Sequence, residues 1–133
     1  MISMTSNKPK IGVSLRIVKA PNYEEERDAL SHDWTSILEE LGFISVHIPN
    51  TLKNLDNFLE EIHLDGIVLS GGDNIGDNKN RDGTEKKLLT YALEKKLPVI
   101  GVCRGMQIIN NFFGGNLSVD DSTVHLARKH EIE

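Results

Sequence analysis

The seven residues Gly101-Val102-Cys103-Arg104-Gly105-Met106-Gln107 hold the only cysteine of the chain, where an apolar run gives way to a helical pattern. A thiol reacts as its thiolate, and a sharp strand-to-helix corner holds such a nucleophile clear of its neighbours at the rim of a sheet. Gly101 and Gly105 let backbone pack closely on both sides of that corner. Earlier in the chain, Ser70-Gly71-Gly72-Asp73 closes another apolar run. A thiolate that attacks a carbonyl needs donors for the oxyanion it creates, and a diglycine turn admits backbone N–H groups without side-chain obstruction. A helix beginning at Arg104 adds a field that favours negative charge on the sulfur. These residues predict acyl chemistry through Cys103. His32, His47 and His63 stand singly without ligand spacing, so no metal is expected, and no cofactor is expected because a thiolate and its oxyanion donors carry such chemistry by themselves.

The elements that must position these groups follow from periodicity. Alternation predicts a strand over 10–18. A helix over 24–41 is expected to bury Leu30, Trp34, Ile37, Leu38 and Leu41, with Trp34 in the core rather than as a stacking platform. A strand over 43–49, a helix over 54–63 and a strand over 65–70 come next. Residues 74–82 read as a polar loop, followed by a helix over 83–95 that turns Leu88, Leu89, Ala92 and Leu93 inward. The strand over 97–102 leads through Cys103 into a helix over 105–113, with Ile108, Ile109, Phe112 and Phe113 on one stripe. Short strands are expected at 116–119 and 123–126. Strands alternating with helices through short polar links predict an α/β fold, a three-layer αβα sandwich with a mostly parallel sheet. Ligands in such sheets collect at the carboxyl ends of the strands, which is where Gly71, Gly72 and Cys103 fall.

At 133 residues the chain suits one domain, read as residues 9–133 after a loose leader at 1–8. A net charge of −5 offers no basic surface for nucleic acid. A single cysteine makes no internal disulfide and fits a reducing compartment. No run approaches the ~20 apolar residues of a membrane span, so the expected location is cytoplasmic, away from membranes.

The segment from Gly101 to Gln107, followed by Phe113-Gly114-Gly115-Asn116-Leu117, closely resembles the nucleophile segment of class I glutamine amidotransferases. The arginine after the cysteine is most similar to the γ-glutamyl hydrolase branch, the peptidase C26 type related to γ-glutamyl-γ-aminobutyrate hydrolase. Ser70-Gly71-Gly72-Asp73 is similar to that family's oxyanion loop. Glu26-Arg27-Asp28-Ala29-Leu30 with Trp34 also resembles a subgroup, encoded with surface-polysaccharide genes, that hydrolyses γ-glutamyl-nucleotide amides. The resemblance implies a flavodoxin-like amidotransferase fold, incomplete at its C-terminal end. It implies Cys103 as nucleophile, the N–H groups of Arg104 and Gly72 as oxyanion hole beside Gly71, and Gln107 facing the bound γ-glutamyl group. The substrate is then a small γ-glutamyl amide. The Arg104 side chain reads as a surface arginine, with substrate contact as the sharper alternative.

That family completes its triad with a histidine and a glutamate two residues later, and this chain contains no His-x-Glu. His130 and Glu131 are adjacent, and neighbours on a strand point to opposite faces. His125 and His130 resemble instead the segment after the nucleophile helix. Three origins are open: a shortened chain, a partner chain or second copy that supplies the rest, or a degenerate domain. Two readings from other classes stand beside the hydrolase: an inactive binding or regulatory domain, and a thiol redox or chaperone protein of related fold. Arg104 and Gln107 weigh against the latter.

Overall fold

In the computed structural model, which describes residues 7–114, 125 and 126, the chain runs β1 (Lys10–Ser14), β2 (Arg16–Lys19), β3 (Glu26–Ala29), α1 (His32–Glu40), β4 (Ile44–Ile48), α2 (Leu55–Ile62), β5 (Gly66–Leu69), α3 (Lys79–Lys95), β6 (Val99–Gly101), α4 (Arg104–Phe112) and β7 (His125–Leu126). One sheet has the order β4-β1-β5-β6-β7, and β2 pairs with β3 in a separate hairpin. β4, β1, β5 and β6 are parallel, while β7 runs antiparallel to β6 with His125 opposite Gly101. This is the expected α/β sandwich with a mostly parallel sheet.

Period-2 alternation divides the core. On β5, Ile67 and Leu69 join the larger cluster with Leu55, Leu59, Leu88, Ile108 and Ile109, which lie on α2, α3 and α4. Val68 points to the other face and joins Val13 and Leu38, with Trp34 and Leu30 packed against them. Three helices therefore cover one face and α1 the other. All four residues of β5 are buried, as a central strand covered on both faces requires. Gly12 on β1 leaves the space that Leu64 fills: a Cβ there would come within 2.6 Å of Leu64 Cδ1.

Four expectations change. The strand over 10–18 is two strands, because the chain leaves the sheet at Leu15 and turns into the hairpin. The helix expected over 24–41 begins only at His32, and Glu26–Ala29 pairs antiparallel with Arg16–Lys19. The run Glu-Glu-Glu-Arg-Asp-Ala-Leu has good local helix propensity, but tertiary bonds override it. Asp28 accepts from the Asn50 backbone N–H at 3.1 Å and from Asn50 Nδ2 at 2.8 Å, and Nδ2 also donates to the Leu15 carbonyl at 3.0 Å. Third, Ile37, Leu41, Leu93 and Phe113 are exposed rather than inward. Fourth, α3 starts at Lys79, not 83, because the Asn78 side chain caps it, accepting from the N–H groups of Asn80 and Arg81. The expected strand at 116–119, His130 and Glu131 lie outside the described residues. No helix of the described residues is long and apolar enough to cross a membrane.

Leu88 is fully buried and Leu41 is 63% exposed. Urea denaturation should therefore separate the two: Leu88→Ala is expected to lose about 2–5 kcal/mol, and Leu41→Ala no more than about 0.5 kcal/mol.

Candidate active site

Cys103 stands between β6 and α4 with φ 54° and ψ −109°, a left-handed conformation that costs a non-glycine residue about 1–3 kcal/mol. Bonds on both sides impose it. Val102 N–H donates to the Leu69 carbonyl at 3.1 Å, Gly105 N–H to the Val102 carbonyl at 2.9 Å, and Met106 and Gln107 N–H groups to the Cys103 carbonyl at 2.9 and 3.1 Å. The cysteine occupies the N-cap position but makes no side-chain cap bond, and its exposed thiol is free.

The glycines on either side are required by space. A Cβ on Gly105 would come within 2.0 Å of the Leu69 carbonyl oxygen, and one on Gly101 within 2.6 Å of the Gly105 backbone. The first turn of α4 is thus pressed onto β5 and β6, which drives the bend outward at Cys103.

The diglycine turn follows β5. Ser70 anchors its start: Ser70 N–H donates to Ser14 Oγ at 3.0 Å, and Ser70 Oγ donates to the Ser14 carbonyl at 2.8 Å. A Cβ on Gly71 would sit 3.7 Å from Cys103 Cβ, so the turn and the Cys103 corner face each other with room for about one methyl group between them. Gly72 has φ +123°, and a Cβ there would meet Arg81 Nη1 at 2.9 Å and Arg16 Cβ at 3.0 Å. Conformation and space both demand glycine. Arg104 opens α4, so its N–H lacks an intrahelical acceptor. Gln107, one turn along α4, is half-buried. Gly71, Gly72, Cys103 and the Arg104 backbone are therefore gathered at one rim of the sheet.

The Arg104 side chain is not on the surface. It is 2% exposed and is paired with Glu85 and Asp82 on α3. Glu85 also accepts from Arg81 Nε at 3.2 Å. Arg81 Nη2 then donates to the carbonyls of Ser70 at 2.8 Å and Gly71 at 3.0 Å. Its Nη1 lies 3.6 Å from Asp73 Oδ2, an ion pair too long for a hydrogen bond. Burial pulls the Arg81 guanidinium below the usual arginine range, and Glu85 beside it pushes back. Two guanidinium groups and three carboxylates thus form one cluster under the rim. A loop over 74–82, as the sequence pattern suggests, hides this cluster. The available signal is Arg81 and Glu85 at i, i+4. Among the described residues no group of His, Cys, Asp and Glu side chains is arranged to hold a metal.

Glu85→Gln leaves two buried guanidinium groups short of a counter-charge, and denaturant unfolding should register a loss of about 3–5 kcal/mol. Gly105→Ala forces a Cβ into backbone and should lose about 3 kcal/mol or more by the same measurement.

The Peptidase C26 family pattern matches residues 9–132. A γ-glutamyl-CDP-amidate hydrolase of Campylobacter jejuni is 31% identical over 129 residues, covering 92% of this chain and 62% of that protein. A putative glutamine amidotransferase-like protein of Rickettsia prowazekii is 33% identical over 129 residues, covering 83% of this chain and 45% of its own length. A putative glutamine amidotransferase-like protein of Lactococcus lactis is 33% identical over 109 residues, covering 71% of this chain and 45% of its own length. The chain spans less than two-thirds of the length of each of these relatives.

Proposed function

This chain belongs to the Peptidase C26 family of class I glutamine amidotransferase-like proteins, and we propose that it hydrolyses a γ-glutamyl amide through a thioester on Cys103. The observation that carries this reading is the exposed, free Cys103 on a corner that lies beside the diglycine turn. The sulfur attacks the γ-carbonyl carbon, and the carbonyl oxygen becomes an oxyanion received by the N–H groups of Arg104 and Gly72. Collapse of the tetrahedral intermediate breaks the C–N bond, and the amine departs with the proton that the Cys103 thiol gave up. Water then attacks the thioester, releasing glutamate and restoring the thiol. Gln107 orients the γ-glutamyl group. Because donors on rigid backbone need no reorganisation, the cluster of Arg81, Glu85 and Arg104 serves catalysis by holding both donor segments still.

A second reading is a γ-glutamyl-binding domain without turnover, in which the Cys103 corner and the diglycine turn only hold the ligand. Two measurements separate the readings. A γ-glutamyl chloroketone should add once to folded protein, on Cys103, and free glutamate should slow it; no labelling of folded protein counts against both. Turnover of γ-glutamyl-4-nitroanilide that drops by about a thousandfold or more in Cys103→Ser selects the hydrolase. Labelling and ligand-induced thermal stabilisation without turnover select the binding domain.

A further inference from the structure

β4 ends the five-stranded sheet: β1 pairs with one of its edges, and no strand of the described residues pairs with the other. An open edge offers a row of backbone donors and acceptors, and proteins commonly guard such edges with charge or proline. The β2–β3 hairpin is guarded in this way, by Arg16, Lys19, Glu26, Arg27 and Asp28. β4, Ile44-Ser45-Val46-His47-Ile48, contains no Lys, Arg, Asp, Glu or Pro.

The open edge has a definite pattern. Ile44 N–H donates to the Pro9 carbonyl at 2.9 Å, on the β1 side. Successive residues of a strand turn their backbone groups to alternate sides. Ile44, Val46 and Ile48 therefore bond toward β1, while Ser45 and His47 present N–H and C=O outward. Side chains alternate as well. Ser45 and His47 are in register with Ile11 and Val13 on the α1 face, whereas Val46 and Ile48 pack in the larger core. Ile44, on that second face, is 46% exposed.

We propose that this edge is a self-association surface, through which two copies of the chain join their sheets in an antiparallel β4–β4 pair centred on Val46. A two-fold axis there sets Ser45 opposite His47, Val46 opposite Val46 and Ile44 opposite Ile48. Each Ser45–His47 pair exchanges two backbone hydrogen bonds, which makes four in all. The neighbouring registers make fewer. One brings in Phe43, whose N–H already donates to the Leu38 carbonyl, and the other brings in Pro49, which has no N–H.

Charge favours the same occupant. Thr35, Ser36 and Glu39 of α1 line a hollow with Ile44 and Ser45, so this side of the helix faces the start of β4. His32 falls on that side by helical spacing. The axis sets the two helices antiparallel, with His32 of each copy level with Glu39 of the other, and no like charges meet. The two Cys103 corners, each beyond the carboxyl end of β6, open at opposite ends of the joined sheet. Dimerisation therefore stands or falls apart from the thioester chemistry.

Sedimentation velocity of the full chain tests this. A five-residue strand makes a small interface, so a monomer–dimer equilibrium with Kd of about 1–100 µM is expected. His47→Pro removes an outward N–H and spares the β1 ladder, and it should weaken the dimer at least about tenfold with unchanged circular dichroism. Cross-linking provides a second measurement, which decides where His47→Pro does not fold. In a Cys103→Ser background, Val46→Cys sets two thiols across a non-hydrogen-bonded pair with Cα atoms about 4.5 Å apart, and mild oxidation should link them. Ser45→Cys in the same background lies diagonal to its own copy and should link at least about tenfold more slowly. A chain monomeric up to about 300 µM, a folded His47→Pro variant that dimerises unchanged, or Ser45→Cys linking as readily as Val46→Cys overturns the proposal.

Discussion

Glu85 is a carboxylate with no exposure to water, and it is tolerated there because two guanidinium groups meet it. One of them, Arg81, reaches back to the carbonyls that begin the diglycine turn. The other, Arg104, is the residue after Cys103. A single buried charge therefore ties together two loops far apart in the chain. Desolvating so many charges is costly, and a well-packed apolar cluster would serve stability as well. Directed bonds to particular carbonyls are what an apolar cluster does not provide.

Close backbone packing completes the frame. Gly105 rests on the Leu69 carbonyl and Gly101 on Gly105, so α4 approaches the sheet more closely than any side chain would allow. The left-handed backbone of Cys103 is the consequence, held by bonds before and after it. Charge cluster and glycine contact act on the same short segment from opposite sides. The segment is fixed before any ligand arrives, which is the condition that the proposed oxyanion role of its N–H groups requires.

The β2–β3 hairpin plays a different part. It leaves the sheet at Leu15 and carries Arg16 over the rim, while the connection through Asp28 and Asn50 fastens it to the end of β4. The rim is thus built from two materials: a tightly packed corner at Cys103, and an appended hairpin whose Arg16 and Ala29 line the adjoining cleft.

Much of this was legible in the residues. A continuous apolar run marks β5 because that parallel strand is covered on both faces, and Gly-x-Cys-x-Gly announces its corner because only glycine fits two close approaches. The Asn54–His63 helix was also visible, its stripe and caps being local. By itself the sequence determined the order of most elements, the α/β class and the juncture at Cys103, since these depend on periodicity and backbone sterics over a few neighbouring residues. Only the tertiary structure decided that Glu26–Ala29 is a strand, that Arg104 is buried and that Arg16 shares a cleft with Trp34. Those outcomes turn on partners such as Asn50, Glu85 and Gly72, and long-range contacts leave no period in the chain that makes them.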